Sequence, residues 1–436
     1  MKSDPSSFSR TRALCLVLTG IIIVWTPEVR AEASLSEQAA VATALAQNQD
    51  LLAARQLIAE AKGRFTQAGL LPNPALEWSY ASDRTFNNEG EYSVSSGFRQ
   101  EFPVTGRLIR ARDVARVDVA LAEAEVKNRE RLLRAEVLES YRALQVINLK
   151  SGYLGALHQR VSDVLVVSER RFKVAEVSET DLNLERLELE RLNFQQEELK
   201  RESTTLRIKL NATLAQPAES ALKISTWQIP QIYSVVLSES VDAALARRPD
   251  RALVSLRIDR ASKEKQLARA ERWEDWTIGI EYSRDKGVFS EPIGNKKDDF
   301  LGLSLSVPLP LWNQNEGKLI EAAAAEARAR GELLAFETKA RAEIEGARRK
   351  VALLLPVLER YESTSIPLAE KNVHTVQKSY TEGLLSITDV LQAQRQLIEL
   401  RSAQADSILE FARALTELET ALGYSEPISN GESHEN

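Results

Sequence analysis

The chain has 436 residues, of which 43% are hydrophobic, 28% charged and only 6% aromatic, with 18 glycines and 14 prolines. That balance excludes a disordered or low-complexity chain, and long stretches of Ala, Leu, Glu, Arg and Gln favour helix over a β-sandwich or an α/β enzyme. The formal charge of -6 comes from 57 basic and 63 acidic residues interleaved along the chain, which leaves no basic stripe for nucleic acid.

Lys2, Arg10 and Arg12 precede an apolar run from Ala13 to Trp25, and Val29 and Ala31 stand at the -3 and -1 positions of a cleavage site. The run is short of the ~20 residues a membrane-spanning helix needs. Residues 1–31 therefore predict a cleaved secretory signal peptide. Cys15, the only cysteine, lies inside the run behind Arg12-Ala13-Leu14, which is not a lipoprotein site, so the mature chain is expected to be thiol-free and unlipidated. Four basic and two acidic residues leave with the peptide, taking the formal charge from -6 to -8.

Beyond the signal peptide the sequence repeats itself with a period near 200 residues. Ala44-Leu45-Ala46 with Asp50 recurs as Ala244-Leu245-Ala246 with Asp250. Phe102-Pro103-Val104 matches Val307-Pro308-Leu309, and Phe172 with Thr180-Asp181-Leu182 matches Tyr380 with Thr388-Asp389-Val390. The matches keep their order while the offset grows from 200 to 205 to 208, as in a duplicated unit with small insertions. The first repeat is assigned to residues 32–219 and the second to 220–425, with a disordered polar tail at 426–436.

Each repeat has the same plan. An Ala-rich helix over 36–70 stops before Pro72-Asn73-Pro74. A hairpin at about 74–104 follows, in which Leu76, Trp78 and Tyr80 alternate, Asn87-Asn88-Glu89-Gly90 turns the chain, and Tyr92, Val94, Phe98 and Phe102 alternate again. The second hairpin, at about 276–309, sets Ile278, Ile280 and Tyr282 against Leu301, Leu303, Leu305 and Val307, with a polar loop over 285–299. Each run is about the ten residues of a tilted membrane-spanning strand.

Long helices come next. Residues 107–173 contain no proline and carry a heptad row of Val119, Val126, Leu133, Ser140, Ile147, Leu154 and Val161, a coiled-coil seam with one polar member. After a break at 174–179 a return helix runs over 180–215. The second repeat has a helix over 315–380, a break at Thr381-Glu382-Gly383 and a return over 387–422, striped by Ile408, Phe411, Leu415, Leu418 and Leu422. At 1.5 Å per residue the long helices are rods of roughly 100 Å, matched within about a turn by each first helix stacked end to end on its return helix. Four strands cannot close a barrel, and an open sheet edge in lipid leaves backbone groups unsatisfied, so spanning strands require an oligomer. Three copies give twelve strands. Trp78, Trp273, Trp276 and Trp312 lie in or beside the hairpins, where a membrane girdle forms, although a soluble hairpin would also use them as ordinary contacts.

The duplicated helix–hairpin–helix plan resembles the TolC family of outer-membrane efflux proteins over essentially the whole mature chain. So do the tip segments from Arg171 to Asp181 and from Tyr380 to Leu391. Gln100-Glu101-Phe102-Pro103 with Gly106-Arg107, and the stretch from Ser306 to Gly317, are most similar to the CzcC-like branch that serves heavy-metal resistance-nodulation-division pumps. The resemblance implies a mostly α fold with a small β part. Two tandem repeats would trimerise into a twelve-stranded outer-membrane barrel in lipid and a long periplasmic α-helical barrel. It implies a Gram-negative outer-membrane location, a periplasmic adaptor and an inner-membrane RND pump as partners, and a homotrimer that exports heavy-metal cations. It places Asp181 and Tyr380 where tip-latching groups sit, Asp389 where a ring carboxylate narrows the pore, and Gly383 in the tip turn. Pro103, Gly106, Pro308 and Pro310 fall at the junction of barrel and helices. The chain departs from the family at Gln392, Leu385 and Ala175, which stand for a second ring carboxylate, a basic residue and a glycine. Thr180-Asp181 and Thr388-Asp389 also open their helices, so both aspartates suit N-terminal capping, with or without gating.

No enzymatic constellation appears. His158, His374 and His434 lack metal-ligand spacing, and the mature chain has neither Cys nor Met for a soft-metal site, so no cofactor or bound metal is expected and substrate choice falls to the pump. Glu185, Glu188 and Glu190 read as a solvated helix face or as ion pairs with Arg186 and Arg191. A duct for drugs or a secreted protein, and a soluble periplasmic coiled-coil adaptor, are the competing readings.

Overall fold

The computed structural model describes residues 34–85, 89–229, 233–288 and 294–424. The signal peptide, Asn87 and Asn88 of the predicted turn, and the tail with His434 lie outside the described residues. In chain order the elements are α1 (Glu37–Gln47), α2 (Gln49–Ala68), β1 (Ala75–Ser82), β2 (Tyr92–Phe102), α3 (Arg107–Lys173), α4 (Glu179–Thr213), α5 (Tyr233–Ser238), α6 (Val241–Arg247), α7 (Pro249–Ala270), β3 (Trp276–Val288), β4 (Asn295–Ser306), α8 (Glu316–Arg360), a π-helical turn (Tyr361–Ser365), α9 (Ile366–Thr381) and α10 (Ile387–Ala421). The chain is mostly helical, with one small antiparallel sheet.

Absence of proline lets α3 run unbroken for 67 residues. Of its heptad row, Val126, Ser140, Ile147, Leu154 and Val161 are buried and Val119 and Leu133 half-buried. The stripe on α10 is buried throughout. It meets Ala340, Ile344, Ala347 and Val351 of α8 in the larger core, while Ala40, Val41 and Ala44 of α1 pack on Val137, Leu138, Tyr141 and Leu144 of α3 in a second.

The first helix of each repeat is two helices rather than one. Asn48 leaves the helical region at φ -60°, ψ 123°, and its Oδ1 accepts the Leu51 amide as an N-cap to α2 at 3.0 Å. Its Nδ2 donates to the Thr213 carbonyl at the end of α4, also at 3.0 Å, so α4 and α2 are joined end to end by this one side chain. Two hundred residues on, Arg248 has φ -62°, ψ 122° before Pro249, and donates to the Ala421 carbonyl at 3.1 Å. Thus α10 is joined to α7 in the same way. Because α1 and α6 turn aside here to pack against α3 and α8, the stacked pairs have 35 and 20, and 35 and 22, residues. Against the 67 of α3 and the run from Glu316 to Thr381 they fall short by roughly three turns, not within the one turn expected.

The predicted helix over 315–380 is also interrupted. Pro367 has no N–H to offer Ser363, and the register slips so that the Ile366 amide donates to Tyr361 five residues back. Above the tip, rod α8–α9 therefore contains a π turn where α3 has none.

These elements form two continuous layers in one order. The sheet runs β1-β2-β3-β4. The helices form four rods in the order α2/α4, α3, α7/α10, α8/α9, each packed on its neighbours. Each rod leads into or out of the strand in the same place. Both layers end in free edges, β1 with α2/α4 on one side and β4 with α8/α9 on the other.

The turns that reverse the chain match across the repeat. At the tips, Glu176 donates to Arg171 and Leu384 to Ser379, both at 2.9 Å, closing equivalent helix ends through a left-handed residue. That residue is Gly383 at φ 77° in the second repeat and Ala175 at φ 61° in the first. The same exchange occurs 208 residues apart at Ala215 (φ 56°) and Gly423 (φ 83°). An alanine in this region costs about 1 kcal/mol relative to glycine. Ala175→Gly is expected to raise stability by that amount, read as a higher midpoint of urea unfolding with an unchanged slope.

Candidate functional site

The strand register sorts the side chains onto two faces. Residues directly opposite in an antiparallel pair share a face. One face carries Leu76, Trp78 and Tyr80 of β1, Val94, Phe98 and Phe102 of β2, Trp276, Ile278, Ile280 and Tyr282 of β3, and Leu301, Leu303 and Leu305 of β4. Most are strongly exposed, Leu303 at 81%. The other face carries Glu77, Ser79, Ser95, Arg99, Glu101, Thr277, Glu281, Ser283, Ser304 and Ser306, with Glu77 and Arg99 paired at 2.7 Å. An apolar face this large on a soluble sheet would bury itself against another layer; here none of the described residues covers it. Among the described residues, no helix is long and apolar enough to cross a membrane.

The hairpin of the second repeat is longer than expected. Strands β3 and β4 continue through 285–288 and 295–299, where a polar loop was predicted. Beyond Tyr282 the residues turn charged, yet Arg284 bonds Asp299 at 2.7 Å, Tyr282 donates its hydroxyl to Asp299 at 2.9 Å, and the Ser93 hydroxyl donates to Asp285. Cross-strand pairs of this kind extend a ribbon past its apolar band.

Trp78 and Trp276 lie on the apolar face. Trp273 and Trp312 lie on the helix side of the strands, Trp312 at 93% exposure in the segment with Pro308 and Pro310 between β4 and α8. Pro103 follows β2 directly. Gly106 at φ 70° and Asn315 at φ 61° then start α3 and α8, turning the chain from strand to rod at matching points. Arg107 clamps this corner with a two-pronged hydrogen bond to Asp275 before β3.

At the opposite end, Ser178 and Ser386 cap α4 and α10. The Ser178 hydroxyl accepts from the Asp181 amide at 3.1 Å and donates to the Asp181 carboxylate at 2.7 Å. Asp389 forms the full reciprocal box, accepting from the Ser386 hydroxyl at 2.7 Å and amide at 2.9 Å. Those hydrogen bonds hold the exposed Asp389 carboxyl below its usual range. A depressed carboxyl contributes above its ordinary value and is lost as pH falls through the lowered one, so the cap persists through mildly acidic pH. Ser386→Ala is expected to lower stability by about 1 kcal/mol, read as a shift in the unfolding midpoint.

Tyr380 does not bond either aspartate. Its ring packs with Ile387, Val390 and Leu391 against Val164 and Leu184, and the Arg171 guanidinium lies 5.7 Å from its centroid. It ties the two repeats together at the tip. Gly383 closes the turn beside it. The predicted tip residues thus occupy one end of the molecule, with each aspartate engaged in its own turn.

The expected glutamate face on α4 is only partly solvated. Glu190 is exposed and Glu188 pairs with Arg191 as expected, but Glu185 and Glu188 are buried at 0% and 3% exposure; Glu188 also accepts from Arg395 of α10, while Arg186 pairs with Glu169. Glu185 sits a turn from Leu182 and a heptad before Leu192, on the stripe that α4 buries, but that spacing alone does not say which helix covers it. Among the described residues no three His, Cys, Asp or Glu side chains are grouped to hold a metal ion.

Residues 240–424 match the family described as "Outer membrane efflux protein". The chain is 21% identical to the cobalt-zinc-cadmium resistance protein CzcC of Cupriavidus metallidurans over 89% of this chain and 90% of that one. It is 24% identical to the pyoverdine export outer membrane protein OpmQ of Pseudomonas putida, over 86% and 83%. Among solved structures it is similar to CusC, described for transmembrane channel formation, with a TM-score of 0.72, 16% identity and coverage of 90% and 91%.

Proposed function

We propose, from the match of residues 240–424 to the outer membrane efflux proteins, that the chain is one of them and serves as the outer-membrane exit duct of a tripartite RND-type pump that exports heavy-metal cations. It is a channel rather than an enzyme. The observation that carries the reading is the uncovered apolar face of the sheet backed by a polar one, continuing strand by strand into the four helical rods. Both layers have two free edges, and pairing β4 of one copy with β1 of the next satisfies all of them only in a closed ring. Three copies close as twelve strands around a polar lumen, with Trp78 and Trp276 in lipid and Trp273 and Trp312 at its periplasmic border.

In this arrangement the signal peptide delivers the chain across the inner membrane. The rods cross the periplasm, and Pro103, Gly106, Pro308 and Pro310 form the collar where barrel becomes tube. A periplasmic adaptor meets the tip and couples it to the inner-membrane pump. Three copies of Asp389, ionised by their caps, ring the entrance and favour cations, while Asp181, Tyr380 and Gly383 shape the turns that must move for the tip to open. The metal cargo is supported by the CzcC resemblance over nearly the full length of both chains. The similarity to OpmQ favours a second reading, export of a small organic molecule.

The test is the mass and conductance of the protein extracted from outer membranes. A heat-resistant trimer that conducts ions in planar bilayers is expected, and a monomer in the soluble periplasmic fraction would overturn the reading. Deleting the gene and scoring growth on zinc, cobalt, nickel, cadmium, copper or silver salts against dyes and siderophores separates the two cargoes. Asp389→Ala is expected to reduce the cation preference of the reconstituted pore; unchanged selectivity would leave Asp389 with capping alone.

A further inference from the structure

Two carboxylates one turn apart on α4 are buried, and only one is neutralised. Glu188 accepts from Arg191 and from Arg395, each at 2.7 Å. Glu185 has no exposed surface; its Oε1 accepts from the Ser168 hydroxyl of α3 at 2.6 Å, and its Oε2 has no hydrogen-bond partner among the described residues. The charged groups around it offer no relief. Asp181 on α4 and Glu169 on α3 both oppose its ionisation, Arg186 is drawn away to Glu169 at 3.0 Å, and Arg395, reaching in from α10, is held by Glu188. Burial is the main cause that pushes the Glu185 carboxyl above its usual range, with the two acidic neighbours adding to it and the Ser168 hydroxyl opposing. A second subunit could not place a cation in contact with it, because the side chain is covered entirely by its own chain.

The duplication provides an internal control. With the tip offset of 208, Ser168 and Glu185 correspond to Val376 and Ala393, and Val376 packs against the cluster that contains Ala393. The same helix–helix contact is therefore made in the second repeat by apolar groups alone, so the fold does not require the polar pair. A carboxylate buried with one hydroxyl for company is costly when charged and tolerable when neutral.

We propose that Ser168 and Glu185 form a proton-operated latch between α3 and α4, closed while Glu185 is neutral and loosened when it ionises, so that the first repeat's tip helices part more readily as pH rises and the second's do not. Only its placement in the periplasm rests on the channel reading above. The sign follows from linkage. Below the ordinary carboxyl range Glu185 is protonated whether α3 and α4 are packed or apart, and pH has no effect. Between the ordinary value and the raised one, the separated helices release the proton first, and each pH unit favours separation by up to about tenfold. Above the raised value the effect levels off.

The test is hydrogen exchange of the full-length protein in detergent from pH 4 to pH 8, corrected for intrinsic exchange, comparing peptides covering 180–190 with those covering 388–398. In the wild type, opening of 180–190 is expected to rise with pH relative to 388–398. Glu185→Gln keeps the shape and hydrogen bond of the neutral acid and is expected to be protected evenly at every pH. The double substitution Ser168→Val with Glu185→Ala, which copies the second repeat, is expected to do the same. A wild type whose two segments respond alike to pH, or a Glu185→Gln protein that keeps the wild-type response, overturns the latch. Loss of conductance in planar bilayers would count against the channel reading and leave the exchange result unaffected.

Discussion

Glu419→Ala is expected to lower stability by about 3–5 kcal/mol, because it strands the buried Arg134 guanidinium and leaves that of Arg142 with Glu37 as its one remaining carboxylate. Glu419 of α10 accepts from Arg134 at 2.9 Å and from Arg142 at 2.8 Å, both on α3, and the three side chains are 1–5% exposed. Arg142 also reaches Thr416 at 2.7 Å and Glu37 of α1. Burial alone would push its guanidinium towards the neutral form, but Glu419 and Glu37 outweigh burial and keep it charged. Removing the carboxylate leaves that desolvation only partly offset, by Glu37, at the level where α1, α3 and α10 meet. The midpoint of chemical unfolding reads the loss. Glu417→Ala, on the same helix, is the matched control: its pair with Lys350 at 2.8 Å is more than half exposed, and about 0–1 kcal/mol is expected from it. Equal losses from the two would refute the burial argument.

Leu303→Arg is expected to block assembly in the outer membrane, whereas Ser304→Arg, one residue on, is expected to permit it. Leu303 lies on the apolar face opposite Ile280, and Ser304 on the polar face opposite Gly279. An arginine at mid-depth on the lipid face of a barrel costs about 2–4 kcal/mol per subunit, and every subunit of a ring carries it. On the polar face the same side chain is hydrated and should reduce cation conductance instead. Immunoblots of outer-membrane fractions, with and without heating, separate the outcomes. If both variants insert equally well, the two-faced reading of the sheet fails.

Much of this architecture was legible in the sequence because its signals are long. The absence of proline after Pro103 marked the long run of α3, strict alternation gave the apolar face of the hairpins, and Asp181 and Asp389 marked the starts of the return helices, although the N-cap positions are held by Ser178 and Ser386 three residues earlier. What escaped were local events inside otherwise helical patterns. Asn48 followed by Asp50 is a helix start as good as any other, but the apolar residues on either side keep helical spacing and mask the break. Pro367 signals an interruption, yet its type, a π turn that slips the register without ending the rod, depends on hydrogen bonds that composition does not encode. The buried state of Glu185, Arg134, Arg142 and Glu419 is a property of packing. Charged residues at heptad positions read as surface until the partner helix that covers them is known. For the candidate site, the sequence located the tip residues on one end of the molecule but could not tell that Tyr380 bridges the repeats while the aspartates stay in their own turns.

The shared order of strands and rods has a consequence for symmetry. Within a chain, the first repeat meets the second where β2 pairs with β3 and α3 packs on α7 and α10. In a ring, β4 would meet the next β1, and α8 with α9 the next α2 and α4. The two seams join equivalent elements, one made covalently continuous by the duplication and the other made by association. To its contents such a tube is nearly six-fold. Only the places where the repeats disagree, Ala175 against Gly383, Ser168 and Glu185 against Val376 and Ala393, and the π turn present in one rod of each pair, reduce it to three-fold. Any motion that opens alternate helix pairs has to draw its direction from those few positions.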